Sequence, residues 1–456
     1  MNILAIESSC DETAAAIISG DPKNPTDTPK ILSNIVVSQI DIFAAYGGVI
    51  PEVAARSHLE TILPVIHQAF KEANFQTEGK DDWSKIDAIA VTHTPGLLGS
   101  LLIGTLTART LAILHNKPLY AVHHLKSHIY ANWLAPKQEK CVSEGHPHSL
   151  GGRSDEPRED GREERPEEAH FPVLSLVIGD GSERTRSQNI DFPVLALVIS
   201  GGHTQILHMN QHNDFEIIGT TRDDAVGECF DKIAKILGLP YPGGPSIAKA
   251  AEKGNPEKYS LPHPHVDNLN FSFSGLKTAV LRAVQKELNL PISHPSHDLK
   301  NHLTNQQIAD FAASFQNTAI DILIEKLQLA LEKYPDTKSV LISGGVSANQ
   351  LLRRKIQNVF CKHFDEPSVI FTNVHAKNSV GSPACQVRSE FLTPERCKNN
   401  HGANQSLQNT FVSFPEKQFS GDNAAMVGAA AFYEIKSGIK PTDPYHLDIS
   451  PRSTIQ

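Results

Sequence analysis

Three times in this chain a short apolar run rich in Ile, Val and Leu ends in a turn of small or polar residues. Residues 3–18 run ILAI, then ESSCDE, then TAAAII; residues 195–207 run LALVIS, turn at Gly201-Gly202 and return as HTQIL; residues 340–352 run VLIS through Gly344-Gly345 into VSANQLL. Paired glycines let backbone approach a ligand closely, and the N–H groups of such turns, or of a helix N-terminus, cradle phosphate oxygens. Between these units lie longer helical patterns, and alternation of this kind is the signature of α/β architecture. The runs 3–6, 13–18, 86–92, 194–200 and 340–343 read as strands. Helical periodicity is clearest at 53–70, 99–115, 308–333 and 349–360, the last placing Leu352, Ile356, Val359 and Phe360 on one face.

Composition narrows the classes. With 39% hydrophobic and 20% charged residues in 456, the chain reads as a globular protein with two or three domains. The apolar runs fall short of the ~20 residues a bilayer span needs, so no membrane segment is expected. The opening MNILAIESSCDE has neither a basic n-region nor a small-residue cleavage site, which makes the cytoplasm the expected compartment. Six scattered cysteines without a C-x-x-C are expected as reduced thiols. The net charge of −9 does not suit an unaided nucleic-acid binder, although Arg353-Arg354-Lys355 offers a local basic cluster.

Two segments read as insertions. Residues 151–170 carry eight acids and four arginines with almost no large apolar side chain, a composition that cannot repay its ordering entropy. Just beyond, FPVLSLVIGDG at 171–181 repeats FPVLALVISGG at 192–202 in eight of eleven positions. Only the second copy continues into Gly-Gly-His-Thr, so the expected strand is the second and 137–191 is treated as inserted. A polar Asn- and Ser-rich stretch, 374–412, reads as another insertion.

His124 and His128 stand at i and i+4, which on a helix brings both imidazoles to one face and within reach of one metal ion. Such pairs also arise by accident in a chain with 22 histidines. Leu125 follows the first, so the glutamate base of an HExxH peptidase is absent. A third ligand is needed, and Asp422, an acid at a glycine turn before a small-residue helix, is the best candidate. It could equally cap that helix.

The segments ILAIESSCDET (3–13), GGVIPEVAARSH (47–58), VHHLKSHIYA (122–131), LVISGGHT (197–204), DDAVGECFDKIAKILGLPYPGGP (223–245), FSFSGLKTA (271–279), LISGGVSANQLLR (341–353) and GDNAAM (421–426) together closely resemble the TsaD family. These are tRNA N6-adenosine threonylcarbamoyltransferases of the Kae-type/Gcp group, long mislabelled as sialoglycoprotein endopeptidases. The resemblance covers nearly the whole chain outside the two insertions. It implies an actin-like ATPase (ASKHA) fold, an α/β architecture of two related RNase H-like lobes closing on a nucleotide. Lobe I would comprise 1–130 and 420–456, and lobe II 131–419. It also implies one divalent metal held by His124, His128 and Asp422, Fe(II) before Zn(II); mixed imidazole and carboxylate ligation does not itself decide between them. Ligand contacts would fall on Val198, Ile199, Ser200, Gly201, Gly202, Asp231, Gly244 and Asn349, with Asp11 and Glu12 beside the reacting centre. Glycines there also serve as turn formers, and Asp231 or Asn349 as helix caps. The implied reaction moves threonylcarbamoyl from threonylcarbamoyl-AMP to N6 of adenine 37 in tRNAs reading ANN codons, with TsaB-like and TsaE-like partner proteins. Competing readings are an actin-like ATPase or sugar kinase, which should not need the two histidines; a metallopeptidase, which lacks its glutamate; and a non-catalytic scaffold.

Overall fold

In β1 (Asn2–Glu7) alternate side chains face opposite ways, and both faces are apolar, so this strand belongs at the middle of a covered sheet. The computed structural model, which describes residues 1–134, 190–264, 266–291, 293, 299–360, 410–452 and 455, places it there. β1 pairs antiparallel with β2 (Glu12–Ser19), which pairs antiparallel with β3 (Lys30–Ser38). The short helix α1 (Ile40–Ala44) and the long α2 (Pro51–Glu72) follow, α2 opening on a proline whose missing N–H costs nothing at that position. After a two-stranded hairpin of β4 (Gln76–Thr77) and β5 (Lys80–Asp81) comes β6 (Ala88–Thr94), parallel to β1. Helix α3 (Leu98–His115) carries the chain to β7 (Leu119–His123), parallel to β6, and α4 (His124–Tyr130) begins at once.

The second sheet repeats this plan. β8 (Val194–Ile199) pairs antiparallel with β9 (Thr204–Gln211), β9 with β10 (Asp214–Thr220), and β8 runs parallel to β11 (Ser339–Ser343), itself parallel to β12 (Phe411–Ser413). The spatial orders β3-β2-β1-β6-β7 and β10-β9-β8-β11-β12 therefore match strand for strand, in direction as well as position. Helices α5 (Val226–Leu237), α6 (Gly243–Ala251), α7 (Ser274–Glu287) and α8 (Asn305–Lys333) intervene between β10 and β11. Helices α9 (Gln350–Phe360), α10 (Lys417–Ser420) and α11 (Ala424–Lys436) complete the chain. A capping box of Thr304 and Gln307 starts α8, and a left-handed Gly238 ends α5.

The cores stack the elements in layers. Leu4, Ile6, Ala15 and Ile17 pack on α2 and α3; Ile3, Ala5, Ala14 and Ala16, on the opposite face, pack on α4 and α11. That same central cluster takes in Ala196, Val198, Leu207 and Leu341 from the second sheet, whose outer face (Leu195, Leu197, Ile199) is covered by α5, α7, α8 and α9. So α4 and α11 lie between the sheets. Two polar pins tie this layer to the second sheet: Asn132 Nδ2 donates to Ser343 Oγ at 2.9 Å, and Tyr130 Oη bonds Asn213 in the β9–β10 turn at 3.1 Å.

All five expected strands and four expected helices form, with ends shifted by a few residues. The outermost residues of both expected insertions pack with the second sheet: Ile190 is buried in the central core, Asp191 N donates to Ser339 Oγ, and Phe411 and Val412 belong to β12. The rest of 137–191 and 374–412, including the first copy of the repeat, lies outside the described residues. Among the described residues one helix, α3, is long and apolar enough by length and composition to cross a bilayer, a test that the core helix of a soluble protein also meets. Threonines and Arg109 interrupt its run, yet Leu98, Leu102, Leu106, Ile113 and Leu114 leave an exposed apolar face beside Leu59 and Leu63 of α2.

Candidate active site

Both His124 and His128 stand on α4, one turn apart, because β7 ends at His123 and the helix starts without a linker; His123 Nδ1 caps it by accepting from Leu125 N. Their rings meet edge to face with centroids 4.7 Å apart. Asp422 arrives from the loop before α11, with Oδ1 3.1 Å from His128 Nε2 and 3.6 Å from His124 Nε2. The three ligand atoms lie within 4.8 Å of one another, close enough to hold one ion. Asp422 is not the cap of α11. That role belongs to Asn423, whose Oδ1 accepts from Met426 N at 3.1 Å, which leaves the Asp422 carboxylate free to turn into the cleft.

The donor set fits a metal. His128 is wholly buried, and neither of its ring nitrogens finds an aligned hydrogen-bond partner even though Asp422 is near. A buried polar group left unpaired costs about 1–3 kcal/mol, and a cation among the three side chains would give Nε2 its partner. His124 is oriented from behind: its Nδ1 lies 3.3 Å from Glu7 Oε2 and 3.2 Å from Ser9 Oγ. Glu7 is held in turn by Ser9 N and Thr92 Oγ1, each at 2.6 Å. Burial pushes the Glu7 carboxyl up, and the adjacent His124 imidazole more than offsets this, so it stays below its ordinary value. Burial likewise opposes a charge on His124, but the Asp422 and Glu7 carboxylates raise it to about 9. Asp422 is lowered against its own burial by the same two imidazoles. His124 and Asp422 thus each favour the charged form of the other.

A cleft of about 1330 Å³ opens in front of this cluster, between the strand ends of the two sheets. Asp11, Glu12, His124, Ser200 and Asp422 line it, as do Gly201, Gly202, Asp231, Gly244 and Asn349. Burial, then the negative charges of Asp422 and Asp11, push the Glu12 carboxyl well above its usual range. Asp231 is raised too, by burial, while one of its oxygens accepts from Gly243 N at 2.7 Å. Asn349 does cap α9: its Oδ1 accepts from Leu351 N and Leu352 N, and its Nδ2 donates to Gln316. A Cβ built on Gly201, Gly202, Gly244 or Gly345 would meet nothing within 4 Å, and none of these has positive φ. Glycine there answers no demand of the fold; it keeps the cleft floor bare. Gly344 differs, since its φ of +86° and its approach to the Ile199 carbonyl require it. Val198 and Ile199 are buried in β8, on opposite faces of the second sheet, and do not line the cleft.

Sequence reading missed Glu7, Ser9 and Thr92. A signal existed: Glu7 continues the Ile3–Ala5 face of β1, so an acid stands where strand periodicity calls for an apolar residue. His203, whose imidazole is lowered to about 4 by burial and by the two facing histidines, was also missed. Leu125 is buried, so no carboxylate base occupies the peptidase position.

Comparison with known proteins bears on this arrangement. The family model described as "TsaD: tRNA N6-adenosine threonylcarbamoyltransferase" matches residues 30–155 and 180–377, breaking across most of the acidic stretch. A protein of that name from Thermomicrobium roseum is 40% identical over 367 residues, covering 79% of this chain and 84% of its own. One from Bacillus subtilis is 41% identical, covering 80% and 83%. One from Synechococcus sp. is 35% identical over 457 aligned positions, covering 100% of this chain and 93% of its own.

Proposed function

This chain belongs to the TsaD family of tRNA N6-adenosine threonylcarbamoyltransferases, and from that premise we propose that it carries threonylcarbamoyl from threonylcarbamoyl-AMP to N6 of adenine 37 in tRNAs reading ANN codons. It is a transferase. The carbamoyl carbon gains a bond to N6 and loses its bond to the phosphate oxygen, AMP leaves with the electron pair, and the N6 proton is released. The observation that carries this reading is the union, in one cleft, of a bare glycine floor with a two-histidine, one-carboxylate cluster. In the implied ASKHA arrangement the two matching sheets are the two lobes, and the strand-end turns hold the nucleotide between them.

The glycine turns at 201–202 and 344–345 would face the adenylate phosphate, their backbone N–H groups supplying the cradle. His124, His128 and Asp422 would hold the ion, iron(II) before zinc(II), the order the family resemblance implies; two imidazoles and one carboxylate suit either metal. When bound, the ion supplies a Lewis acid that polarises an acyl oxygen. Glu7 and Ser9 fix the tautomer and plane of His124. Asp11 and Glu12 stand beside the reacting centre, where the raised Glu12 carboxyl can hold a proton. An exocyclic amine is a poor nucleophile, so positioning and charge stabilisation supply most of the acceleration. The exposed apolar face of α2 and α3 supports a paralogous TsaB-like partner docking there, and a net charge of −9 supports tRNA being gripped with the help of that partner and a TsaE-like ATPase.

The test supplies threonine, bicarbonate, ATP, the adenylate synthase, the partner proteins and unmodified tRNA, and analyses nucleosides with and without this chain. The threonylcarbamoyl nucleoside should appear only with it. His124→Ala and Asp422→Ala should fold and lose transfer; either variant working at the wild-type rate would refute the metal assignment.

A further inference from the structure

The three consecutive cations Arg353, Arg354 and Lys355 look in the sequence like one solvated basic cluster, yet the fold gives them three environments. Arg354 is exposed on the rim of the cleft, and Lys355 Nζ is bound by Asp321 at 2.5 Å and Asn317 at 2.6 Å. Arg353 turns inward. Its Nε donates to the Ser347 carbonyl at 2.7 Å, and its Nη2 donates to the Pro415 carbonyl at 2.8 Å and to Ser420 Oγ at 3.3 Å. The guanidinium lies over the Phe414 ring, 4.8 Å from its centroid.

These acceptors belong to two different segments. Ser347 sits in the 3-10 turn Gly345–Ala348, which follows β11 and walls the cleft on its glycine side. Phe414, Pro415 and Ser420 belong to the strap that leads through α10 and Gly421 into Asp422, the carboxylate of the metal cluster. Ser420 is buried and returns a bond to the Glu416 carbonyl, so the strap is stiff between its two contacts with Arg353. A planar fork bonded to backbone on both sides transmits a displacement from one segment to the other; a point-charge ammonium, whose three donors rotate on a flexible stem, holds no such fixed relation.

We propose that Arg353 is a positioning residue that couples the nucleotide side of the cleft to the metal side, by holding the Gly345–Ala348 turn and the Asp422 strap in one rigid relation. The inference rests on the reading of the cleft as an adenylate and metal site. Seating a phosphate against the turn then fixes Asp422 for the ion, and loading the ion readies the turn for the nucleotide. Such coupling is reciprocal, each ligand changing the other's affinity by the same factor.

The experiment uses the full chain stripped of metal, with Co²⁺ and AMP as probes. Co²⁺ is titrated by its visible absorption with and without saturating AMP, and AMP by calorimetry with and without Co²⁺. Wild type should show a coupling of about fivefold or more, equal in both directions. In Arg353→Gln both probes should still bind while the coupling factor falls at least threefold. Arg353 acting as a mere staple would lower the melting temperature and leave the factor unchanged, and that result overturns the proposal. So does a wild type that binds both probes independently. A wild type that binds neither overturns the reading of the cleft itself, and the coupling with it. If the glutamine variant does not fold, Arg353→Lys, which keeps the charge over Phe414, and Ser420→Ala, which removes one acceptor on the strap, carry the same comparison. Both should show reduced coupling, and wild-type coupling in both overturns the proposal.

Discussion

Replacing Glu7 by Gln changes no volume and removes no contact, yet it should loosen the metal cluster. Three donors converge on this buried carboxylate: Ser9 N on Oε1, and Thr92 Oγ1 and His124 Nδ1 on Oε2. A glutamine offers one oxygen. If its nitrogen takes the Oε1 place, two N–H groups confront each other at the 2.6 Å now separating Ser9 N from the carboxylate. If it takes the Oε2 place, the Thr92 hydroxyl can rotate and accept, but His124 Nδ1 loses its carboxylate acceptor and either keeps only Ser9 Oγ or passes its proton to Nε2. Nε2 is the atom that faces Asp422, so in the second case the imidazole can ligate only after losing that proton. Either arrangement taxes metal binding. Removing an outer partner of a ligating histidine typically lowers affinity 10–100-fold, which is about 1.4–2.8 kcal/mol. Competition of Glu7→Gln and wild type for Zn²⁺ against a chromophoric chelator, at a pH where both are folded, measures it. Affinities within twofold of each other would refute the argument that Glu7 sets the His124 tautomer.

Two further expectations concern the floor of the cleft and a buried acid. Gly201→Ala and Gly244→Ala should leave stability within about 0.5 kcal/mol, because the added methyl meets open space, while AMP affinity measured by calorimetry falls about tenfold, or ~1.4 kcal/mol. In contrast, a Cβ on Gly227 would lie 2.5 Å from the Ser200 carbonyl oxygen and 2.9 Å from Gly201 Cα, so Gly227→Ala should destabilise by about 1–3 kcal/mol in denaturant titrations. Alanines that leave AMP binding intact would show that the bare floor is not the nucleotide's seat. Glu434, buried in α11 and facing Lys126, Tyr120 and Tyr130, is raised from 4.5 to about 7, burial outweighing the lysine. Its unfolded form ionises first as pH rises, so it withdraws stability between pH 4.5 and 7 and adds no further change above. Glu434→Gln should therefore gain on wild type across that window by on the order of 3 kcal/mol; parallel stability curves for the two proteins would contradict this.

Local chemistry made much of the molecule legible. Strand and helix are set by side-chain period, so the runs at β1, β2, β6, β8 and β11 and the amphipathic α2, α8 and α9 could be read directly. The His124–His128 pair was readable for the same reason, since one helical turn determines which side chains share a face. The glycines of the cleft floor were visible too, but not their meaning: Gly201 and Gly344 look alike in sequence, and only three-dimensional packing shows one facing open space and the other pressed against Ile199. The meeting of Asp422 with His124 and His128 depends on α11 lying between the two sheets beside α4, a matter of sheet order rather than spacing. Glu7 at a core position is an anomaly until His124 appears behind it, and Arg353 is one of three equivalent cations until the strap from Phe414 to Asp422 folds across it. Short-range periodicity is written in neighbouring residues and survives in a single sequence. The contacts that assemble the site join segments far apart in the chain, and their energy exists only once β1 and β8 have set the two sheets on either side of α4 and α11.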